Sequence, residues 1–574
     1  MARDPSFPRT RHVALSYFGQ EQAKAEGAEA ILLPTRSAEG EPHAGIPLPE
    51  PVQPGAPGVP AKGDLPAAAD APALSTGVQP AAPQPRELPR VVVADVATPA
   101  GADECLGIDG NPARVRCANS LEGREASAEA ATLAAELGEA VLLDGAGRWY
   151  QEGPKATGYC RSCEAALLEE LRESYGDHFE PFEVLPLLRE EALPPLERPF
   201  ARVKEAMRLA EAVAAAKRAV LSARDAARRE RSLEMAVLGK VGRVDALALL
   251  LCAHLDGLVF ELPSTDPYEA LLPLAAARAA LGSRPAVALL PEAATEAEAR
   301  LLTALATACD CDVLLREGAG AEARMAVAAH RKFMALVRQR FRPSHPLADA
   351  EILLSPQCDH WTMGEHAKLS ATCLGHLARA QLHAALRLDL SQPVAAPLLV
   401  LAGASAISAA DAAMARRFVE GGGDALVLGR CSVSDPEGRS GEPVFREVKS
   451  GLERVGDGRV YAVDDPTLLP RALRELGRRP QVLLAGRGRL LARAYLDGER
   501  KLDVHLVNLD PAAAQGVQLT IAGQAAGGGR SGYWFAEDRQ GGPDGERITL
   551  NPSGFSVSTI LPSIDTYALL TVPR

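Results

Sequence analysis

The sequence predicts an α/β protein built in three parts: a (β/α)8 TIM-like barrel, a flavodoxin-like doubly wound α/β domain and a small β-sandwich. Three observations predict it. Short apolar runs alternate with Ala-rich helical stretches over residues 1–340. Closely spaced strand and helix patterns, with glycines at helix ends, fill residues 345–495. From residue 500 to 574 apolar and polar residues alternate between turn residues, as in an antiparallel sandwich.

Eight apolar runs in the first part have the length of strands, and helical patterns separate them. The predicted strands are His12 to Tyr17, Ala30 to Leu33, Val91 to Val96, Ala140 to Asp144, Leu233 to Leu238, Gly257 to Leu262, Ala286 to Leu290 and Asp312 to Leu315. Barrel enzymes carry their active sites at the C-terminal strand ends, where Asp95, Asp144 and Glu261 are expected.

A Pro-rich segment, residues 42–89, interrupts this part without ending it. Proline has no N–H to donate and bars helix continuation, so the segment predicts a disordered insertion in place of the second barrel helix. The helical pattern from Phe200 to Arg231 predicts barrel wall.

In the second part the predicted strands are Ala350 to Leu354, Leu398 to Leu401 and Ala425 to Leu428, with helices at Gly364 to Gln381 and Ala409 to Glu420. In the third part the alternating runs are Asp503 to Asp510, Val517 to Ile521 and Ile564 to Leu570. Both sets have the spacing of short, closely connected elements.

Composition and charge argue against nucleic-acid-binding, membrane and secreted proteins. A net charge of -12 over 574 residues disfavours nucleic-acid and anionic-membrane partners, since both need clustered positive charge. The N-terminal residues contain no apolar run of signal-peptide type, and no stretch reaches the length of a membrane span. The ten cysteines therefore predict reduced thiols or metal ligands in a cytoplasmic protein.

Three groups of segments, in chain order, carry a resemblance to a known family. They are Val115 to Arg124, Ala140 to Tyr150 and Gly158 to Glu164; then Ala350 to Trp361 and Arg417 to Gly423; then Val504 to Asn508 and Leu561 to Tyr567. The chain resembles glycoside hydrolases related to glycoside hydrolase family 42. The resemblance implies an amidotransferase-like trimerisation domain of structural role, a homotrimer, and a carbohydrate or glycoside ligand.

Glycosidic cleavage needs two carboxyl groups that flank the bond. Asp144 is the first candidate, because it ends an apolar strand and the glycines at 145 and 147 allow a tight turn and close approach of a ligand. Arg148, Trp149 and Tyr150 follow as candidates for a sugar subsite, together with Asp95. The resemblance extends to α-L-fucosidases, whose nucleophile is a similar strand-end Asp-Gly. Alternatively, Asp144 caps the turn that follows it.

Glu261 is the predicted partner of Asp144, since it ends another apolar strand before a Pro-containing loop. A structural carboxylate is the alternative, and sequence spacing does not report the separation of the two groups. The predicted function is a glycoside hydrolase of β-galactosidase-like or α-L-fucosidase-like type. The aromatic content of 4% is low for a sugar cleft, so a catalytically degenerate binding or scaffold protein is the alternative.

Cys160 and Cys163 form a Cys-x-x-Cys, a spacing that lets two thiolates of one turn reach a tetrahedral Zn²⁺. The resemblance implies a structural zinc site, although Gly158 stands where that family has a further cysteine. Cys105 and Cys117 would then complete a four-cysteine site. Thiols without a metal are the preferred interpretation and the zinc site is the alternative, while a redox role lacks a thioredoxin-like context.

His360, Trp361 and His366 follow a predicted strand in the second part. Two imidazoles are too few for a metal site, so loop packing or an oligomer contact is the preferred interpretation.

Overall fold

The computed structural model describes residues 15–16, 30–34, 90–99, 104–107, 110–146, 158–175, 214, 216–230, 235–316, 318–337, 345–362, 364–434, 440–446, 448–497, 501–537 and 545–574. The predicted insertion at 42–89 lies outside these residues. None of the helices in these ranges is both long and apolar enough to cross a membrane.

The first part contains an eight-stranded sheet in which every pairing is parallel. In chain order the strands are β1 (Leu15–Ser16), β2 (Ala30–Pro34), β3 (Arg90–Asp95), a separate hairpin of β4 (Glu104–Leu106) and β5 (Pro112–Arg116), then β6 (Ala140–Asp144), β7 (Ala236–Val241), β8 (Gly257–Glu261), β9 (Ala286–Leu289) and β10 (Asp312–Leu314). Neighbours in the sheet are neighbours in the chain once the hairpin is set aside, which fits a barrel. All eight predicted strand positions carry a strand.

Helices follow the strands of this sheet. They are α1 (Leu121–Leu137), α2 (Arg161–Tyr175), α3 (residues 216–230), α4 (Ala246–Leu251), α5 (Pro267–Leu281), α6 (Glu296–Ala308) and α7 (Ala321–Val337), with a 3-10 turn at Cys252–His254. Local signals set their starts: Ser120, Asp245 and Asp266 accept N-terminal backbone N–H groups, and Thr295 forms a capping box with Glu298.

The strands bury both faces, as a covered parallel sheet requires. One face forms a compact apolar layer: Val91, Ala140, Leu142, Ala236, Leu238, Val259, Val287, Leu289 and Leu314. The intervening residues, among them Val141, Leu143 and Phe260, join the larger core that the helices cover. Successive side chains of a strand alternate between faces, so this pattern fixes which strand-end residues lie above the compact layer.

The second sheet has six strands and a side hairpin. Its strands are β12 (Ala350–Leu353), β13 (Ala384–Arg387), β14 (Leu398–Ala402), β15 (Asp424–Leu428), β18 (Gly451–Val455) and β19 (Gly458–Val463), and the hairpin is β16 (Ser432–Ser434) with β17 (Ser440–Pro443). Its helices are α8 (Pro356–Trp361), α9 (Glu365–Arg379), α10 (Ala409–Glu420) and α11 (Leu469–Leu476), with a 3-10 turn at Pro466–Leu468. The strand order is β13-β12-β14-β15-β19-β18. Apart from the antiparallel edge strand β18, this is the 2-1-3-4-5 order of flavodoxin-like sheets.

Two antiparallel sheets complete the chain. Their strands are β11 (His345–Pro346), β20 (Val482–Ala485), β21 (Leu490–Asp497), β22 (Lys501–Asn508), β23 (Gln518–Ala522), β24 (Ser531–Ala536), β25 (Glu546–Thr549), β26 (Asn551–Ser553), β27 (Ser556–Ile560) and β28 (Tyr567–Pro573), and α12 (Gly523–Ala526) lies among them. The strand orders are β11-β21-β22-β28-β24-β25 and β20-β23-β27-β26. Residues of both sheets share one apolar core. Strands β11, β20 and β21 of these sheets precede residue 500, where the third part is predicted to begin. The boundaries between the domains remain a prediction.

A buried polar contact joins the helices of the first sheet to the antiparallel sheets. The His330 ring on α7 bonds the Thr307 hydroxyl of α6 through Nε2 at 2.9 Å and the Glu537 carboxylate through Nδ1 at 3.0 Å. The Tyr567 ring packs edge-on against His330, with ring centroids 5.1 Å apart. The satisfied ring nitrogens explain why this histidine is tolerated in the core.

Candidate active site

Charged residues occupy the C-terminal ends of neighbouring strands in the first sheet. Asp95 of β3 is the register partner of Asp144 of β6, which is the partner of Lys240 of β7. Counting in twos from the compact apolar layer places all three on its face, and the same count from Val259 and Leu314 reaches Glu261 and Arg316. These five charged side chains therefore lie above that layer, at the edge where barrel enzymes place their chemistry, and we call this edge the mouth.

Asp144 is held by a lysine on the next strand. Lys240 Nζ lies 2.8 Å from Asp144 Oδ2, and the lysine side chain is 16% exposed. Among the described residues this ion pair is the contact that the Asp144 carboxylate makes, whereas the alternative prediction placed it as a cap of the following turn.

Glu261 is held by an arginine from two strands away. Arg316 Nη2 lies 2.9 Å from Glu261 Oε2, with side chains 36% and 26% exposed. Arg316 follows β10 whereas Glu261 ends β8, so the pair spans the end of β9. The guanidinium therefore lies beside the end of β9, and the Arg316 side chain is only partly exposed to solvent.

Asp95 binds its own turn. Its Oδ1 accepts the backbone N–H groups of Ala97 at 3.0 Å and Thr98 at 2.9 Å. Burial acts to raise the pKa of Asp95, but the hydrogen bonds from Thr98 and Ala97 outweigh it and hold this pKa below its usual value. The carboxylate is thus ionised and committed to the loop, and it contributes negative charge to the mouth.

The turn after Asp144 packs tightly against the Asp95 loop. Gly145 has φ +88°, and a Cβ there would lie 2.4 Å from the Ala97 Cβ. Both facts require glycine at this position, as the sequence predicted. The candidate subsite residues Arg148, Trp149 and Tyr150 lie outside the described residues.

The structure brings the four predicted cysteines together. The Sγ atoms of Cys105, Cys117, Cys160 and Cys163 all lie within 4.8 Å of one another. The Sγ–Sγ distances include 3.3 Å for Cys117 to Cys160, 3.5 Å for Cys117 to Cys163 and 3.5 Å for Cys160 to Cys163. Tetrahedral zinc with Zn–S bonds of about 2.3 Å spaces sulfurs roughly 3.8 Å apart, so the four donors fit such an ion.

This cysteine cluster connects elements that are distant in the chain. Cys105 belongs to β4 and Cys117 follows β5, whereas Cys160 precedes α2 and Cys163 lies in its first turn. The backbone N–H of Gly158, whose φ is +97°, donates to Cys105 Sγ at 3.2 Å.

The same hairpin supports the Asp95 loop. Arg116 Nη1 donates to the Asp95 carbonyl at 3.4 Å and to the Ser127 hydroxyl at 3.3 Å. The Arg116 backbone N–H donates to the Ala97 carbonyl at 2.6 Å. Hydrogen bonds from Arg116 therefore connect the hairpin of the cysteine cluster directly to the Asp95 loop.

His366 in the second part makes local packing contacts, and loop packing is one of the two interpretations, beside an oligomer contact, that the sequence favours over a metal site. Its Nε2 accepts the Ser355 backbone N–H at 3.0 Å, and its Nδ1 donates to the Ala402 carbonyl at 2.6 Å. Burial lowers the pKa of His366 to about 4, despite the opposing hydrogen bond to Ala402. A neutral ring thus ties the ends of β12 and β14 together.

Asp359 on α8 is buried beside this histidine's helix. Burial raises the pKa of Asp359 to about 6, the hydrogen bond from the Ala367 N–H opposes the rise, and the charge of Asp245 adds to it. We expect Asp359→Asn to raise the free energy of unfolding by up to about 3 kcal/mol at pH 8. A carboxylate whose pKa rises this far on folding destabilises the folded state by about that energy at pH 8, and the asparagine amide oxygen still accepts the Ala367 N–H.

The two buried groups change stability with pH in opposite directions. The raised pKa of Asp359 contributes stability that is fully present below its unfolded value near 3.8 and is lost as pH rises through about 6. The lowered pKa of His366 contributes stability that is present above 6.5 and is lost as pH falls through about 4. Urea unfolding at pH 8, 6 and 4 should show a gain for Asp359→Asn that vanishes at pH 4. A variant less stable than wild type at pH 8 would contradict this expectation.

Sequence reasoning missed the two cations of the mouth. The predicted fifth strand ended at Leu238, whereas β7 runs to Val241, so Lys240 lay outside the prediction. Arg316 follows the predicted eighth strand by one residue. One signal was available for both: each charged residue follows the last residue of the compact apolar layer on its strand by two positions, so it lies on the same face.

No protein-family model matches the sequence, and no curated protein matches it. Solved structures do resemble the fold. They include the cold-adapted β-galactosidase of Rahnella sp. R3, with a TM-score of 0.65 and 10% identity over 99% of this chain and 100% of that one. A family GH42 β-galactosidase of G. stearothermophilus gives 0.62 and 10% identity over 85% and 88%.

The α-L-fucosidase isoenzyme 2 of Paenibacillus thiaminolyticus gives a TM-score of 0.58 and 11% identity over 84% of this chain and 87% of that one. Identities this low show a shared fold alone. The chain is a mixed α/β protein with the fold of GH42-type glycoside hydrolases.

Proposed function

We propose that the protein is a glycoside hydrolase whose eight-stranded sheet closes into a barrel, with its active site at the charged mouth. The observation that carries the proposal is the placement of Asp144 and Glu261 on one face, at the C-terminal ends of strands two apart in the sheet. The coarse fold likeness to β-galactosidases and an α-L-fucosidase supports the same chemistry.

The two ion pairs suggest different roles for the carboxyls. Asp144 is paired inside the sheet with a lysine that is largely shielded from water, so it suits the ionised nucleophile of a retaining reaction. Glu261 is paired with a more exposed arginine, so it can give up that partner more readily when a ligand binds. We assign Glu261 as the acid that protonates the leaving oxygen and then activates water.

The test is hydrolysis of a panel of aryl glycosides, including β-D-galactosides and α-L-fucosides, by the purified protein and by Asp144→Asn and Glu261→Gln. The proposal expects turnover of at least one glycoside by the wild type, lost in Asp144→Asn. Arg471→Gln is a matched control, because Arg471 pairs with Glu475 on a solvent-exposed helix face. Equal turnover by wild type and Asp144→Asn would overturn the assignment.

We further propose that the cysteine cluster binds one structural zinc. Four thiolates would close the coordination sphere and leave no open position for chemistry. The ion would fix hairpin β4–β5 to α2 and thereby support the Asp95 loop through Arg116.

Metal analysis should find about one zinc per chain, and Cys105→Ser should weaken zinc binding in a chelator competition by at least about tenfold. Cys373→Ser is the control, because Cys373 is buried in α9 of the second part. Protein refolded without zinc should also unfold at a lower temperature than the loaded protein. Zinc-free preparations of unchanged stability would contradict the site.

A catalytically degenerate scaffold is the second candidate. It is favoured by the finding that both carboxylates are ion-paired in the described structure, so that each is already bound to a cation of the protein itself. This candidate predicts no turnover across the panel. Its assembly would follow the homotrimer that the sequence resemblance implies, and light scattering that shows a monomer would remove that part of it.

A further inference from the structure

We infer that Arg316 recognises an acidic group on the substrate, so that the ligand of the mouth is a glycoside bearing a carboxylate or sulfate. The inference rests on the proposed function for the identity of the ligand as a sugar. The acidic group is inferred from the position of Arg316 and from its contacts.

Glu261 engages only part of the hydrogen-bonding capacity of Arg316. The guanidinium has five N–H donors in a planar fork that matches an oxyanion with two hydrogen bonds. Its ion pair with Glu261 runs from Nη2 to a single carboxylate oxygen. Among the described residues the Nε–H, although buried, meets no hydrogen-bond acceptor. An incoming oxyanion that draws the guanidinium toward itself would give this donor the acceptor that it lacks beside Glu261.

The two cations of the mouth differ in position. Lys240 lies within β7 and pairs with its register neighbour, so it is part of the sheet. Arg316 lies beyond the end of β10, reaches across β9 and is the more exposed of the two. Of the two, Arg316 is thus the cation that an approaching ligand meets first.

Transfer of Arg316 to the ligand would also prepare Glu261. Glu261 is the proposed general acid, and it cannot serve the leaving oxygen while it is bound to the guanidinium of Arg316. Once the ligand's oxyanion takes Arg316, the Glu261 carboxyl is released for that role. The charged groups on the same edge are Lys240, Asp144 and Asp95, and Glu292 after β9, whose Oε1 lies beside Gly318.

The experiment is calorimetric titration of the full-length protein with matched sugars: D-galacturonate against D-galactose, D-glucuronate against D-glucose, and galactose 6-sulfate against galactose. We expect an acidic sugar to bind at least about tenfold more tightly than its neutral counterpart. Arg316→Gln should remove this preference, while Arg471→Gln should keep it.

Acidic and neutral sugars that bind alike, acidic sugars that do not bind, or a preference that survives Arg316→Gln would overturn the inference. Its failure is distinguishable from that of the proposed function. Hydrolysis of neutral glycosides that Arg316→Gln leaves unchanged removes the inference alone. Arg316-dependent binding of acidic sugars without hydrolysis of any glycoside removes the proposed function alone.

Discussion

Asp144→Asn is expected to lower kcat/KM by about a thousandfold or more on every substrate that the wild type hydrolyses. The amide has nearly the same shape but cannot attack the anomeric carbon, so the loss should not depend on the leaving group. Steady-state kinetics with aryl glycosides of graded leaving-group acidity measures it.

Glu261→Gln provides the contrast. A proton donor matters most when the leaving group is a poor one, so this variant should retain activity on dinitrophenyl glycosides far better than on unactivated ones. If Asp144→Asn showed that leaving-group dependence and Glu261→Gln did not, the two roles would be exchanged. Uniform small effects in both variants would remove the pair from catalysis.

Asp424→Ala is expected to lower the free energy of unfolding by about 3 to 4 kcal/mol. Asp424 opens β15 with a side chain that is 3% exposed, and it binds two guanidinium groups. Arg459 donates through Nε to Oδ1 at 3.1 Å and through Nη2 to Oδ2 at 2.6 Å, and Arg478 donates through Nε to Oδ2 at 2.9 Å. Removing the carboxylate leaves two neighbouring cations without their common counter-charge.

Asp457→Ala is the matched control, since its pair with Arg454 is 4.0 Å long and both side chains are more than three-quarters exposed. Exposed pairs contribute little, so the control should change stability by less than about 1 kcal/mol. Urea unfolding of both variants at neutral pH makes the comparison. If Asp424→Ala lowered the free energy of unfolding no more than the control does, water would be able to solvate both arginines in place of the carboxylate.

Apolar periodicity predicted most of the fold. Strands buried on both faces, such as β6 and β9, are nearly continuous apolar runs, and such runs are the strongest signal available. Strand β13 was missed because Ala384–Arg387 is short and ends in a charge. That charge is structural, because Arg387 Nη1 donates to Glu351 Oε2 on the neighbouring strand β12 at 2.9 Å.

The candidate site was predictable only in part. Asp144 and Glu261 end apolar strands, and Cys160 and Cys163 have ligand spacing, so local patterns found them. Arg316 meets Glu261 across 55 residues, and only the assembled sheet brings the two together. Pairings of this kind depend on tertiary geometry, which local patterns do not contain.

Covalent trapping tests the role of Asp144 as the nucleophile most directly. The protein is incubated with a 2-deoxy-2-fluoro glycoside that carries a dinitrophenolate leaving group, for each sugar of the panel, and the labelled peptide is identified by mass spectrometry. We expect one adduct per chain on Asp144 for the sugar that is hydrolysed, and none in Asp144→Asn. An adduct on another carboxyl, or no adduct with any sugar, would contradict that role.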